Sequence, residues 1–180
     1  MMDSYGKSLK TNVGTLGAVF GANFTEPFAL DESATIQIGT QETPVLRHGM
    51  APLNLDSSAV DRFKETTGAI ATIFVRRGDD LVRISTSLKN QKGERAIGTL
   101  LDHAHPAYAK AMDGQEYVGK ASLFGRDYMT KYLPIKDGSG ASIGILFIGL
   151  DFTEGLRHLK DKIRSISVGD TGYVYVLDSQ

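Results

Sequence analysis

Cysteine is absent from this chain of 180 residues. Its absence excludes disulfide staples and thiolate metal sites, and it fits an oxidising compartment as well as a reducing one. Long apolar runs are missing too. No stretch approaches the roughly 20 residues that cross a bilayer as a helix, and no signal peptide is present. Neither sign of charge is in excess: 20 Lys+Arg against 21 Asp+Glu leave a formal net charge of −1. No global field therefore draws the chain to nucleic acid or to an acidic membrane surface, and no nucleic-acid partner is expected. A complete P-loop and a GxGxxG following a strand are both lacking, so the usual nucleotide-cofactor signatures are gone. We expect no cofactor, and no enzyme.

What is present is ordinary for a soluble globular protein, with 41% hydrophobic and 23% charged residues. The length allows one domain with a sizeable core, or one domain plus a fragment of another. The doubled methionine at the start is expected to mark a boundary beyond which the parent protein continues.

Leu9, Val13, Leu16, Val19, Phe20 and Phe24 recur near helical spacing and predict a helix over residues 4–24. Gly14, Gly17 and Gly21 weaken it by about 1 kcal/mol each, but would let another helix approach closely. It reads either as a core helix or as a helix arriving from an upstream membrane span. Short extended segments are predicted at Ala34–Ile38 and Pro44–His48. A helix capped by Ser57 or Ser58 follows over Ala59–Thr67 and closes at Gly68. Ala69–Arg76 and Leu81–Leu88 form a hairpin around Gly78-Asp79. The polar connection 89–99 is long enough to suggest a functional loop. A short helix is predicted over Pro106–Met112, ending at Gly114. Beyond residue 152 come a helix over Glu154–Ile166 and an apolar strand, Tyr173–Leu177.

The stretch 117–152 (YVGKASLFGRDYMTKYLPIKDGSGASIGILFIGLDF) holds three β-periodic runs joined by two turn signals. It reads as an antiparallel meander whose third strand, apolar on both faces, is covered on both sides. With Gly125-Arg126 as the turn pair, Lys120 would lie opposite Lys131, beside Leu146 and Ile148. Like charges opposed in apolar company are costly. Either an anion lies between them or their stems reach out to solvent. By the same alternation Arg83, Ser85 and Ser87 share a face, with Arg83 as a natural fork for a carboxylate. Asp151 falls near Arg126 as a structural ion pair. Thr99 and the Tyr128 hydroxyl add hydrogen-bond donors. The candidate ligand-binding set is Arg83, Ser85, Thr99, Lys120, Arg126, Tyr128 and Lys131, for a small carboxylate such as a short organic acid. His103 and His105 with Asp102 supply too few ligands for a metal, so none is expected; as a base they support only an alternative enzyme reading.

The segments ATIFVRRGDDLVRISTSL and GERAIGTLLDHAHPAYAKAMDGQEYVGKASLFGRDYMTKYLPIKDGSGASIGILFIGLDF together resemble the Cache-type extracytoplasmic sensor domain of bacterial methyl-accepting chemotaxis proteins. The final SVGDTGYVYVLDSQ is similar to the opening of a second Cache module. The resemblance implies an α+β, PAS-like fold: an antiparallel sheet of five to six strands, a long N-terminal helix, and short helices over a ligand pocket. It implies a division into an N-terminal signalling helix (1–30), a sensor domain (31–152) and an exit helix with a truncated second module (153–180). A periplasmic setting in an inner-membrane receptor and a homodimer through the N-terminal helix also follow from it. Carboxylates and amino acids are the ligands it implies, with Asp151 near the place where an amino-acid-binding member would receive the ligand amine.

Overall fold

The computed structural model describes residues 2–152. The helix and strand expected at 154–166 and 173–177 lie outside the described residues. In chain order the elements are α1 (Met2–Gly21), β1 (Phe28–Ile38), β2 (Gln41–His48), β3 (Ala51–Pro52), α2 (Ser58–Thr67), β4 (Ile70–Arg77), β5 (Asp80–Thr86), α3 (Pro106–Met112), β6 (Tyr117–Leu123), β7 (Arg126–Lys136) and β8 (Ser142–Asp151). A five-stranded sheet runs β5-β4-β8-β7-β6, and a small three-stranded one runs β1-β2-β3. Every pairing within both sheets is antiparallel. This is an α+β, PAS-like architecture, as the sequence led us to expect. No helix among the described residues is long and apolar enough to cross a membrane.

Two cores explain why β8 is apolar on both faces. On one side Val13 and Phe20 of α1 and Val60 and Phe63 of α2 pack against Ile73, Val75, Leu146 and Ile148. On the other, Phe74, Tyr132 and Phe147 lie under Ala107 and Ala111 of α3. Each large side chain so buried contributes about 1.5–3 kcal/mol. Within the described residues α1 packs on the sheet: a Cβ on Gly17 would come within 2.9 Å of Lys131 Cδ on β7. Helix α2 starts differently from the prediction. Ser57 makes no side-chain cap; instead Asp56 Oδ1 accepts from the Ser58 N–H at 3.0 Å. Its end is as predicted, with Gly68 at φ 80° donating to the Lys64 carbonyl.

Two local irregularities reset the faces read from alternation. The β6–β7 turn is centred on Phe124-Gly125, both at positive φ (51° and 81°), because the primed hairpin turn that matches strand twist needs that sign at both positions. Leu123 therefore pairs with Arg126, Lys120 with Met129 and Val118 with Lys131. The two lysines share a face but do not oppose each other, and the predicted charge conflict dissolves. Across the other edge Lys131 pairs with Ile148, not Leu146. The second irregularity is a bulge in β5. Ser85 sits opposite Ile73 while Arg83 sits opposite Phe74, leaving Ile84 as the extra residue. Arg83 and Ser85, two apart, consequently face opposite sides of the sheet.

Candidate ligand-binding site

The connection after β5 does not leave the sheet. Ala96 N donates to Leu88 O, Gly98 N to Arg83 O and Leu101 N to Leu81 O, so residues 96–101 run along the free edge of β5. Gly98 makes this path possible: at φ 82° a Cβ there would sit 2.9 Å from the Ile38 carbonyl oxygen. The edge segment then turns through residues 102–105 into α3. Between it, α3 and the β6–β7 end of the sheet lies a cavity of about 510 Å3, within the range of ligand pockets, roughly 300–1,000 Å3. Three other surface concavities are smaller, at about 370, 350 and 300 Å3, the second of them adjoining this one at Lys120, Ala121 and Ser122.

Arg83 is the chemical centre of this cavity. It is only 6% exposed, held as β5 arrives by its own backbone N–H, which donates to Thr99 O at 2.9 Å. Its Nη1 donates to Thr99 Oγ1 at 2.7 Å, and that hydroxyl donates onward to Ala96 O at 2.8 Å. Thr99 thus orients the guanidinium with both of its hydrogen-bonding roles already used. Below, the guanidinium carbon rests 4.8 Å from the centre of the Phe74 ring. Arg83 Nε is the one buried side-chain polar atom without a partner among the described residues, and no described carboxylate forms an ion pair with this arginine. Burial pulls its pKa from 12.5 down to about 10, offset in part by Tyr132, so the group remains a cation at neutral pH. A buried, charged, partly unsatisfied guanidinium is costly unless something anionic completes it.

Two neutral donors stand beside it. Tyr132, at 2% exposure, projects from β7 between Tyr117 and Phe147, its register neighbours on either side. Burial pushes its hydroxyl pKa up to about 12, with Arg83 pulling the other way. The half-buried His105 is the N-cap of α3 and its ring lies 5.7 Å from that of Tyr132. Its Nδ1 accepts from the Ala107 N–H at 3.0 Å, so in the neutral ring the proton is on Nε2, as a donor. Burial holds its pKa below the usual imidazole value, with Asp102 opposing.

Of the residues singled out in the sequence, the fold brings Arg83 and Thr99 to the cavity wall; Lys120 borders it on β6, but its ammonium lies over the Phe152 ring on the face it shares with Lys131. Ser85 turns to the other face of the sheet, where its hydroxyl donates to the Asp56 carbonyl at 2.5 Å. Lys131 also faces away, towards α1, with its ammonium 3.5 Å from Glu116 Oε1. Arg126 pairs through Nε with Asp151, as foreseen. Tyr128 is buried on the cavity's side of the sheet, directly opposite Asp151 in the β7–β8 register, and is not part of the wall. His103 is taken by Asp80 at 2.9 Å and stacks on Tyr108. Sequence reasoning placed Tyr132 on the face read as plain core and treated His105 only as a possible base. The His105-Pro106 pair, a polar cap ahead of a proline at the first turn, was the available signal.

The sensor domain of E. coli DcuS, known from its crystal structure, is similar at 19% identity and a TM-score of 0.41, over 58% of this chain and 72% of that one. No curated protein matches the chain. The model of the Cache 3/Cache 2 fusion domain, by contrast, matches residues 1–180. With the match running end to end, the chain belongs to the Cache 3/Cache 2 fusion domain family.

Proposed function

We propose that this chain is the ligand-binding sensor part of a membrane receptor, and that it holds a small carboxylate against Arg83. The observation that carries the reading is the buried guanidinium with Nε unpartnered and no described counter-ion. A carboxylate satisfies a guanidinium fork with charge-assisted bonds of about twice the strength of neutral ones. Tyr132 and His105 add neutral donors from two further elements.

Occupancy shifts an equilibrium only through different affinity for two states. Strand β7 supports such a link. Tyr132 faces the cavity, while its neighbours Lys131 and Leu133 face Gly17 of α1 on the opposite side. In this reading α1 carries occupancy towards a membrane, residues 31–152 form the sensor module, and residues 153–180 open a second one. The receptor's sensor side is extracytoplasmic, its output is chemotactic signalling, and two copies associate through α1.

Thermal shift of the purified chain against a panel of organic acids and amino acids tests the proposal. An acid at 100 times its dissociation constant should stabilise by about 2.7 kcal/mol, be recovered unchanged, and lose its effect in Arg83→Met. A panel without any response, or a response that survives Arg83→Met, refutes it.

A further inference from the structure

The cavity is graded from a charged interior to an apolar mouth. Inside are Arg83 and Tyr132, both buried, with the half-buried His105 above them. At the mouth stand Leu100, 43% exposed, and Phe124, 38% exposed, with Leu101 and Leu123 between. Single exposed apolar residues need no explanation. These two are exposed on the same opening, and Phe124 holds its place at a backbone cost: it sits at φ 51° in the β6–β7 turn, where Asn would be at ease.

Charge within the cavity is just as uneven. Arg83 is its one buried cation among the described residues. Tyr132 and the neutral His105 donate hydrogen bonds without bringing charge. Lys120 is exposed on the strand at the rim, with its ammonium on the opposite face, 5.9 Å from the centre of the Phe152 ring, and the rim also carries the carboxylate of Asp102. One buried anionic group is therefore compensated. A second would lie against Leu101 and Leu123, uncompensated, or beside Asp102, repelled.

We propose that the ligand is an amphiphilic monocarboxylate, seated with its carboxylate inward at Arg83 and its apolar chain leaving between Leu100 and Phe124. This rests on the carboxylate reading above and adds the number of charges and the direction of the chain. Titration calorimetry of the chain with straight monocarboxylates from acetate to hexanoate, and with succinate and adipate, tests it. Affinity should rise by about fourfold per added methylene. Butyrate and hexanoate should bind at least about tenfold more tightly than succinate and adipate, which carry a second charge on the same number of carbons. A diacid that binds more tightly than its monoacid partner, or affinity independent of chain length, overturns the proposal. If Arg83→Met still abolishes that binding, the carboxylate reading stands. No binding by any of these acids removes both. Phe124→Asn isolates the mouth, because Asn suits the turn and leaves folding intact. It should lower hexanoate affinity by about fourfold or more, leave acetate unchanged, and not lower the melting temperature of the free protein. Unaltered hexanoate affinity would overturn the assignment of Phe124.

Discussion

Arg83→Met removes the cation and keeps most of the stem, and it should make the ligand-free protein more stable while ending its response to acids. Burial takes the guanidinium from 12.5 to about 10, and at about 1.4 kcal/mol per tenfold change the charge costs the fold about 3 kcal/mol. Between those two values the unfolded chain binds the proton that the folded one releases, so stability rises with pH there; below about pH 10 the full penalty is present. Against this gain stand the lost bond to Thr99 at 2.7 Å and the lost contact with the Phe74 ring at 4.8 Å, worth about 1 kcal/mol each. The net expectation is about 1 kcal/mol of stabilisation, or about 2–4 °C in melting temperature at this size. It agrees in sign with buried charges replaced by apolar residues elsewhere. The assay is differential scanning calorimetry of both proteins after unfolding and dialysis, since bound acid would raise the wild type alone. A variant that melts several degrees below stripped wild type refutes the reasoning: the guanidinium would then be a net structural contributor and not a cation waiting for a ligand.

Thr99→Val deletes the acceptor that aims Arg83 and should weaken acid binding by about tenfold, the loss of one bond to a charged group, as read by titration calorimetry. Lys131→Ala should leave that affinity unchanged, because the side chain faces α1 and Glu116; a tenfold loss would put the ligand on the other face of the sheet. His105 lies below its usual pKa through burial. In the free protein its contribution is complete above the unfolded value of about 6.5 and is lost as pH falls, because the unfolded state takes up the proton first. A bound carboxylate favours the imidazolium, so affinity should increase as pH drops from about 7.5 to about 5.5. The pH slope should shrink in His105→Asn, which preserves the helix cap; an unchanged slope would assign it to another group.

How much could be read in advance differed from element to element. The helices at 58–67 and 106–112 and the hairpin at 70–86 were legible because periodicity, caps and turn glycines act within a few residues of themselves. Arg83 and Thr99 were legible as chemistry, a fork and a hydroxyl. Ser85 was misplaced because alternation assumes an unbroken strand, and the bulge at Ile84 exchanges faces without a mark in composition. Tyr132 was hidden because an aromatic on a central strand looks like core until something polar is seen to face it.

From the sequence alone came the elements, their antiparallel meander, the Cache resemblance and the pressure towards an anion at a basic residue. Those depend on local propensity and on the period of apolar residues, which each segment carries for itself. The tertiary structure decided which basic residue is left alone. It turned Lys131 to Glu116 and Arg126 to Asp151, and it lodged Arg83 among Phe74, Thr99 and Tyr132. Whether a charge finds a counter-ion depends on residues tens of positions away in the chain, and on a register set by one turn and one bulge.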